Sequence, residues 1–173
     1  MSHLNIEIKA RCRRPATIRT MLQQHRAEFK GIDHQIDTYF YCSHGRLKLR
    51  EGTIEHHLVH YERDDAPGPK KSLVTLYQPN PDSDLKQVLA QALGVLIVVD
   101  KMREIYFIDY VKFHIDEVKE LGSFVEIEAI DSDGTIGQEA LRKQCEKYID
   151  LFSLTDKDFI SLSYSDLLLR RQP

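Results

Sequence analysis

Four pairs of charged residues lie two positions apart in this 173-residue chain: Glu7 and Lys9, Lys48 and Arg50, Lys101 and Arg103, and Glu126 and Glu128. Side chains of extended backbone alternate between faces, so each pair points one way from its strand. Carboxylates come from the first and last of these segments, cations from the middle ones. Gathered in one place, the set suits a polyphosphate bound through divalent metal ions. Carboxylates hold Mg²⁺ or Mn²⁺, substrate oxygens complete the shell, and Lys or Arg neutralise the remaining phosphate oxygens. The plainer alternative is a series of solvated strand faces, which commonly carry Glu and Lys.

The elements that must position these residues follow from periodicity. Asn5 to Arg11 reads as a strand with Ile6 and Ile8 on one face and Asn5, Glu7, Lys9 and Arg11 on the other. Pro15 opens a helix whose Ile18, Met21, Leu22 and His25 form a stripe. Gln35 to Cys42 and Arg46 to Arg50 read as a hairpin turning at Ser43-His44-Gly45, and His56 to Asp64 with Lys71 to Gln78 as a second strand pair. After Pro79 to Pro81, Asp84 is placed to cap a helix whose Leu85, Val88, Leu89, Ala92 and Leu93 read as core packing before Gly94 stops it. Strands follow at Val95 to Ile108, Val111 to Val118 and Phe124 to Glu128. The last forty or so residues read as helical, with Thr135 as a cap and Leu141, Cys145, Tyr148, Ile149 and Phe152 as a stripe. Eight strands with a few helices form either a sandwich with charged faces outward or a barrel with a charged lumen and helices outside.

Composition narrows the partners. A hydrophobic fraction of 42% suits one domain over residues 1–173. Net charge of -3 and pI near 6.2 give no broad basic field for nucleic acid or membrane surfaces, so any anion site is local. The aliphatic run Val95 to Val99 is far short of a membrane span, and Met1-Ser2-His3 opens no signal peptide, which leads to a cytoplasmic expectation. Cys12, Cys42 and Cys145 are odd in number and lack a CxxC, so reduced thiols are expected rather than disulfides or zinc ligands.

Seven segments in order resemble the CYTH family, the triphosphate tunnel metalloenzymes, which includes class IV adenylyl cyclases, thiamine triphosphatases and inorganic triphosphatases. They are Asn5 to Lys9 for the ExExK signature, Gly45 to Glu51, Tyr61-Glu62-Arg63 with Gly68-Pro69-Lys70, Val99 to Arg103, Ile115 to Val118, Leu121 to Glu128, and Ser163 to Leu168. The resemblance spans nearly the whole chain. It implies an α+β fold: an eight-stranded antiparallel barrel with a charged tunnel and helices packed outside. It also implies substrate-binding cations at Lys9, Lys48, Arg50, Arg63, Lys101 and Arg103, and metal-binding acids at Glu7, Glu126 and Glu128 supported by Asp116. Glu7, Lys9 and Arg103 are the catalytic set it implies, with Mg²⁺ or Mn²⁺ as cofactor.

One position departs from the signature. Asn5 stands where the family has its first Glu, and a neutral amide binds a hard cation more weakly and cannot act as a base. Three activities are therefore expected in order. Water attack on a terminal phosphorus makes a triphosphatase of nucleotide, other organic or inorganic triphosphate. A ribose 3'-hydroxyl attacking the α-phosphorus makes an adenylyl cyclase releasing cyclic AMP and pyrophosphate. A polyphosphate-binding module without catalysis is the third. The expected partner is a small-molecule triphosphate, with no nucleic acid or membrane, and the chain a monomer or homodimer. His56, His57 and His60 alternate in face and are read as hairpin polarity, Tyr39 and Tyr41 share a face with Asp37, and His114 lies two before Asp116 as a possible lumen group.

Overall fold

Period-two alternation over most of the chain produces strands with one charged or mixed face and one apolar face, and curling such a sheet encloses one of them. The computed structural model describes residues 2–173. It consists of β1 (Ser2–Arg11), α1 (Pro15–Gln24), β2 (Glu28–Phe40), β3 (Arg46–Glu51), β4 (His56–Arg63), β5 (Lys70–Tyr77), α2 (Leu85–Leu93), β6 (Val95–Ile108), β7 (Val111–Val118), β8 (Gly122–Asp131), α3 (Gln138–Leu151) and α4 (Tyr164–Leu169). The strands close an antiparallel barrel in the order β1-β5-β4-β3-β2-β6-β7-β8. The expected eight-stranded barrel is present, and the charged faces look inward.

The register carries this arrangement. Glu7 lies opposite Glu128 and Lys9 opposite Glu126 across the β1–β8 seam, Arg103 opposite Asp116 on β6 and β7, and Asp37 opposite Arg50 on β2 and β3. The outward residues Ile6, Ile8, Ala10, Val111, Phe113, Ile115, Val125 and Ile127 form a core with Ile18 and Leu22 of α1 and Leu141, Cys145 and Tyr148 of α3. Phe113 meets Tyr148 edge-on at 4.7 Å. A second apolar cluster, with Tyr39, Val99, Val118, Phe124, Tyr164 and Leu168, fills one end of the barrel. There Ile160 donates its N–H to the Lys9 carbonyl at 2.9 Å, and α4 begins on a capping box between Ser163 and Asp166. That end is the floor of the lumen.

Several local expectations are corrected. β2 starts at Glu28 rather than Gln35, with a bulge between Phe29 and Gly31 and unbroken pairing to β6 from Gly31 to Tyr39. No side chain of α2 is buried, so its apolar stripe is not core packing. Asp84 does stand at the N-cap of α2, without a capping hydrogen bond from its side chain. Thr135 does not cap α3. Its N–H and hydroxyl both go to Asp133, while Gly137, at φ 85°, is the N-cap. Residues 152–163 are irregular rather than helical. Cys12 and Cys145 are buried and Cys42 exposed, all as free thiols. Among the described residues, no helix is long and apolar enough to cross a membrane.

Candidate functional site

The lumen is a cavity of about 280 Å³, lined among others by Glu7, Lys9, Lys48, Arg50, Arg63, Lys101, Arg103, Glu126 and Glu128. The expected site residues are thereby brought together, with Asp116 behind Arg103. The cations differ in how far protein carboxylates already satisfy them. Arg50 grips both oxygens of Asp37, at 2.9 and 2.8 Å. Lys101 reaches the same carboxylate at 2.7 Å and Lys48 at 3.2 Å. Arg103 makes a bidentate pair with Asp116 at 2.7 and 2.6 Å, and the Tyr164 hydroxyl adds a third bond to that carboxylate at 2.6 Å. Asp116 thus has its oxygens engaged and fixes Arg103 in the wall.

A second set of cations retains unused capacity. Arg63 donates one bond to Glu7 at 2.7 Å, while its buried Nε and Nη2 have no partner. Lys9 lies 3.6 Å from Glu126 and 3.8 Å above the Tyr164 ring, and burial lowers its pKa to about 8. Lys48 stacks between the rings of Tyr39 and Tyr61, 5.4 Å from each centroid. Arg63 thus keeps donors that no protein group takes, Lys9 has only a long contact to Glu126, and Lys48 is shared between Asp37 and the two rings. Charge-assisted hydrogen bonds from such donors are roughly twice as strong as neutral ones.

The carboxylates sort in the opposite sense. Burial works against the Glu126 anion, but Arg103 and Lys9 outweigh it and hold its pKa well below the usual range. Burial pushes Glu128 up to about 7 despite Lys112, and Glu7, Glu126 and Glu55 add to the rise. Negative charge is thus in excess around Glu128, and a divalent cation would relieve it. The buried Asn5 amide donates to Glu128, and its Oδ1 has no partner. The donor set fits a hard cation. Among the described residues no three His, Cys, Asp or Glu stand close enough to hold an ion by themselves, so substrate oxygens would complete the shell, as Mg²⁺ sites usually require.

His114 is buried, with Nδ1 3.2 Å from Glu126. A carboxylate only accepts, so Nδ1 carries the proton and Nε2, buried and without a partner, is left as an acceptor. Burial and the neighbouring Arg103 push its pKa down to about 4, so the ring is neutral. Tyr39 is buried on the lumen wall, whereas Tyr41 lies beyond the strand end and is exposed. Of the three neighbouring histidines, His57 lines the cavity and His60 bonds the His44 carbonyl outside.

Sequence reasoning missed Asp37 as the shared counter-ion, Glu55, Lys112, Tyr61 and Tyr164. Lys112 lies two before His114, so strand parity was a usable signal for it. Tyr61 was marked in the same way by Arg63. Glu55 comes from the β3–β4 turn and had no such signal. Val59, Val74 and Leu76 form an apolar wall of the same cavity on β4 and β5.

A CYTH domain model matches residues 3–158. Among solved structures, the PH1012 protein of Pyrococcus horikoshii OT3 is 24% identical, over 94% of this chain and 98% of that one, with a TM-score of 0.73. An adenylate cyclase candidate of Vibrio parahaemolyticus is 20% identical over 98% and 99%, with a TM-score of 0.74. An adenylyl cyclase candidate of Hippeastrum, described as having a dominant triphosphatase activity, is 12% identical over 98% and 95%, with a TM-score of 0.57. At these identities the likeness is one of fold. No curated protein matches the chain.

Proposed function

The chain belongs to the CYTH family, and from that premise we propose that it is a divalent-metal-dependent hydrolase of an organic triphosphate. The carrying observation is one lumen lined both by Lys9, Lys48 and Arg63, an anion cradle in which Arg63 keeps unused donors, and by the carboxylates Glu7, Glu126 and Glu128. A triphosphate ester enters phosphate first, its terminal group reaching the cradle. Its organic end lies against Val59, Val74 and Leu76, the apolar part of the cavity lining.

Glu7, Glu126 and Glu128 would hold Mg²⁺ or Mn²⁺, which when bound supplies Lewis-acid polarisation of the phosphate oxygens. Lys9 and Arg63 bind non-bridging oxygens through donors that protein carboxylates leave free. Arg103, held flat by Asp116, stabilises charge that gathers on those oxygens in the transition state. His114, neutral and bonded through Nδ1 to Glu126, holds that carboxylate in position. The apolar wall favours an organic group in the mouth, and so keeps a cyclase as the second reading, with a ribose hydroxyl replacing water as nucleophile.

Incubation with ATP, thiamine triphosphate or inorganic triphosphate plus Mg²⁺ or Mn²⁺, with phosphate, pyrophosphate and cyclic AMP resolved, tests both readings. Phosphate release from an organic triphosphate is expected, and cyclic AMP with pyrophosphate would replace hydrolysis by cyclisation. Tight triphosphate binding without turnover under either metal defeats both. Glu128→Ala is expected to lower kcat by about 100-fold or more, beyond the loss typical of an outer-shell change, with thermal unfolding checking the fold. Unchanged turnover would remove Glu128 from the metal site.

A further inference from the structure

Glu55 reaches the lumen from the loop between β3 and β4, whereas Glu7, Asp37, Asp116, Glu126 and Glu128 stand on strands. One of its oxygens accepts from Arg50 Nη1 at 2.9 Å and from Gln35 Nε2 at 3.1 Å. The other accepts from Lys112 Nζ.

The loop that carries this carboxylate is clamped. The Glu55 N–H donates to Asp33 Oδ2 at 3.0 Å. The N–H groups of Thr53 and Ile54 donate to Asp33 Oδ1 at 2.8 and 3.1 Å, joined by the Thr53 hydroxyl at 3.1 Å. Asp33 is fully buried, and Gln35 also bonds its Oδ2 at 2.9 Å. At Gly52 an added Cβ would stand 2.5 Å from Asp33 Oδ2 and 2.8 Å from the Glu55 carbonyl. A surface loop tied down through a buried carboxylate does not swing its side chain out of the lumen at low cost.

We propose that Glu55 is a specificity-determining residue, a built-in anion seated where Arg50 and Lys112 would otherwise receive a phosphate. The inference rests on the triphosphate reading of the lumen and limits which triphosphates fit. A phosphate chain filling outward from the floor meets Lys9, Arg63 and Lys48 first. Arg50, whose Nε and Nη2 are held by Asp37, and Lys112 come next, and Glu55 takes the remaining Nη1 of the one and the ammonium of the other. A further phosphate there faces a fixed carboxylate rather than the free Lys112 ammonium and Arg50 Nη1. What occupies the mouth must therefore be uncharged, as the organic part of an ester is, and a longer inorganic chain is refused by like-charge repulsion.

Titration calorimetry of the full chain with inorganic triphosphate and inorganic tetraphosphate, without divalent metal and at fixed ionic strength, tests this. The unsubstituted protein is expected to bind tetraphosphate no more tightly than triphosphate. Glu55→Gln raises the tetraphosphate-to-triphosphate affinity ratio by about tenfold or more, the scale of one freed charged contact. Adding Lys112→Met cancels that rise, because the two residues act on the same site. Glu55→Asp keeps the charge and the original ranking. Where Glu55→Gln does not fold, Glu55→Ser takes its place in the same ratio. A ratio unchanged in a folded charge-removed variant, or a rise that survives Lys112→Met, overturns the inference. Turnover of an organic triphosphate with Mg²⁺ by the unsubstituted protein tests the hydrolase reading by itself, so the two failures appear in different measurements.

Discussion

Lys101 stands where burial and charge pull hardest against each other. Its ammonium group is 2.7 Å from Asp37, yet Arg50 and Lys48 share that carboxylate. Burial lowers its pKa to about 7, opposed by Asp37 and reinforced by Arg50, Arg103 and Lys48. A polyanion entering the lumen favours the charged form, so Lys101 takes up a proton on binding at pH 8. Affinity for triphosphate is then expected to fall as pH rises above about 7, by up to about tenfold per pH unit. Calorimetry in two buffers of different ionisation enthalpy reads the uptake directly, and Lys101→Met is expected to lower it, leaving the share of Lys9, whose pKa burial lowers to about 8. Uptake unchanged in that variant would assign the proton elsewhere. Without ligand, the same depression makes the unfolded chain the tighter proton binder between about pH 7 and 10, so this residue's contribution to stability grows as pH rises through that window. Lys101 and Arg103 could be placed from sequence because parity alone put them on one face. Asp37 could not, since its value lies in cations from β3 and β6 that only closure brings to it.

The β3–β4 loop shows what element-level reading could and could not reach. Alternation located both flanking strands and so left the residues between Arg50 and His56 as their connection. The clamp by Asp33 was hidden because its partners are backbone N–H groups of a loop twenty residues on, which only the closed sheet brings to it, although Asp33 shares the parity of Gln35 and Asp37. Gly52→Ala is expected to destabilise the protein by about 1–3 kcal/mol, the usual cost of forcing an extra methyl into packed structure, read from the shift of the urea midpoint. An unaltered midpoint would show that the loop yields and that Glu55 is less firmly held than the Asp33 bonds indicate. The helix α2 erred the other way. Its stripe has helical period, but period says only that a face exists, and the barrel presents nothing that buries it.

At the scale of the whole molecule, the outer core and the floor share the work of holding the barrel. Phe113, with no exposed surface, sits in the core that joins strands to α3, and Phe113→Ala is expected to cost about 3–5 kcal/mol. Val88, on the unburied α2, is expected to tolerate Ala within about 0.5 kcal/mol. Denaturant unfolding of both variants checks the contrast, and equal costs would mean α2 is held as firmly as α3. The barrel was legible because seven ordered segments resemble the CYTH family, the four charged pairs by themselves leaving a sandwich open, while the floor was not, since it depends on where residues 152–168 fold back. The seam between β1 and β8 adds a consequence in time. It joins residues such as Asn5 and Glu128, 123 positions apart along the chain, and until it forms the sheet is open and its charged face stays in water. Taking the lumen's charges out of water is therefore deferred to the last and most distant pairing. Folding is expected to be slow and limited by that closure rather than by the hairpins that form before it.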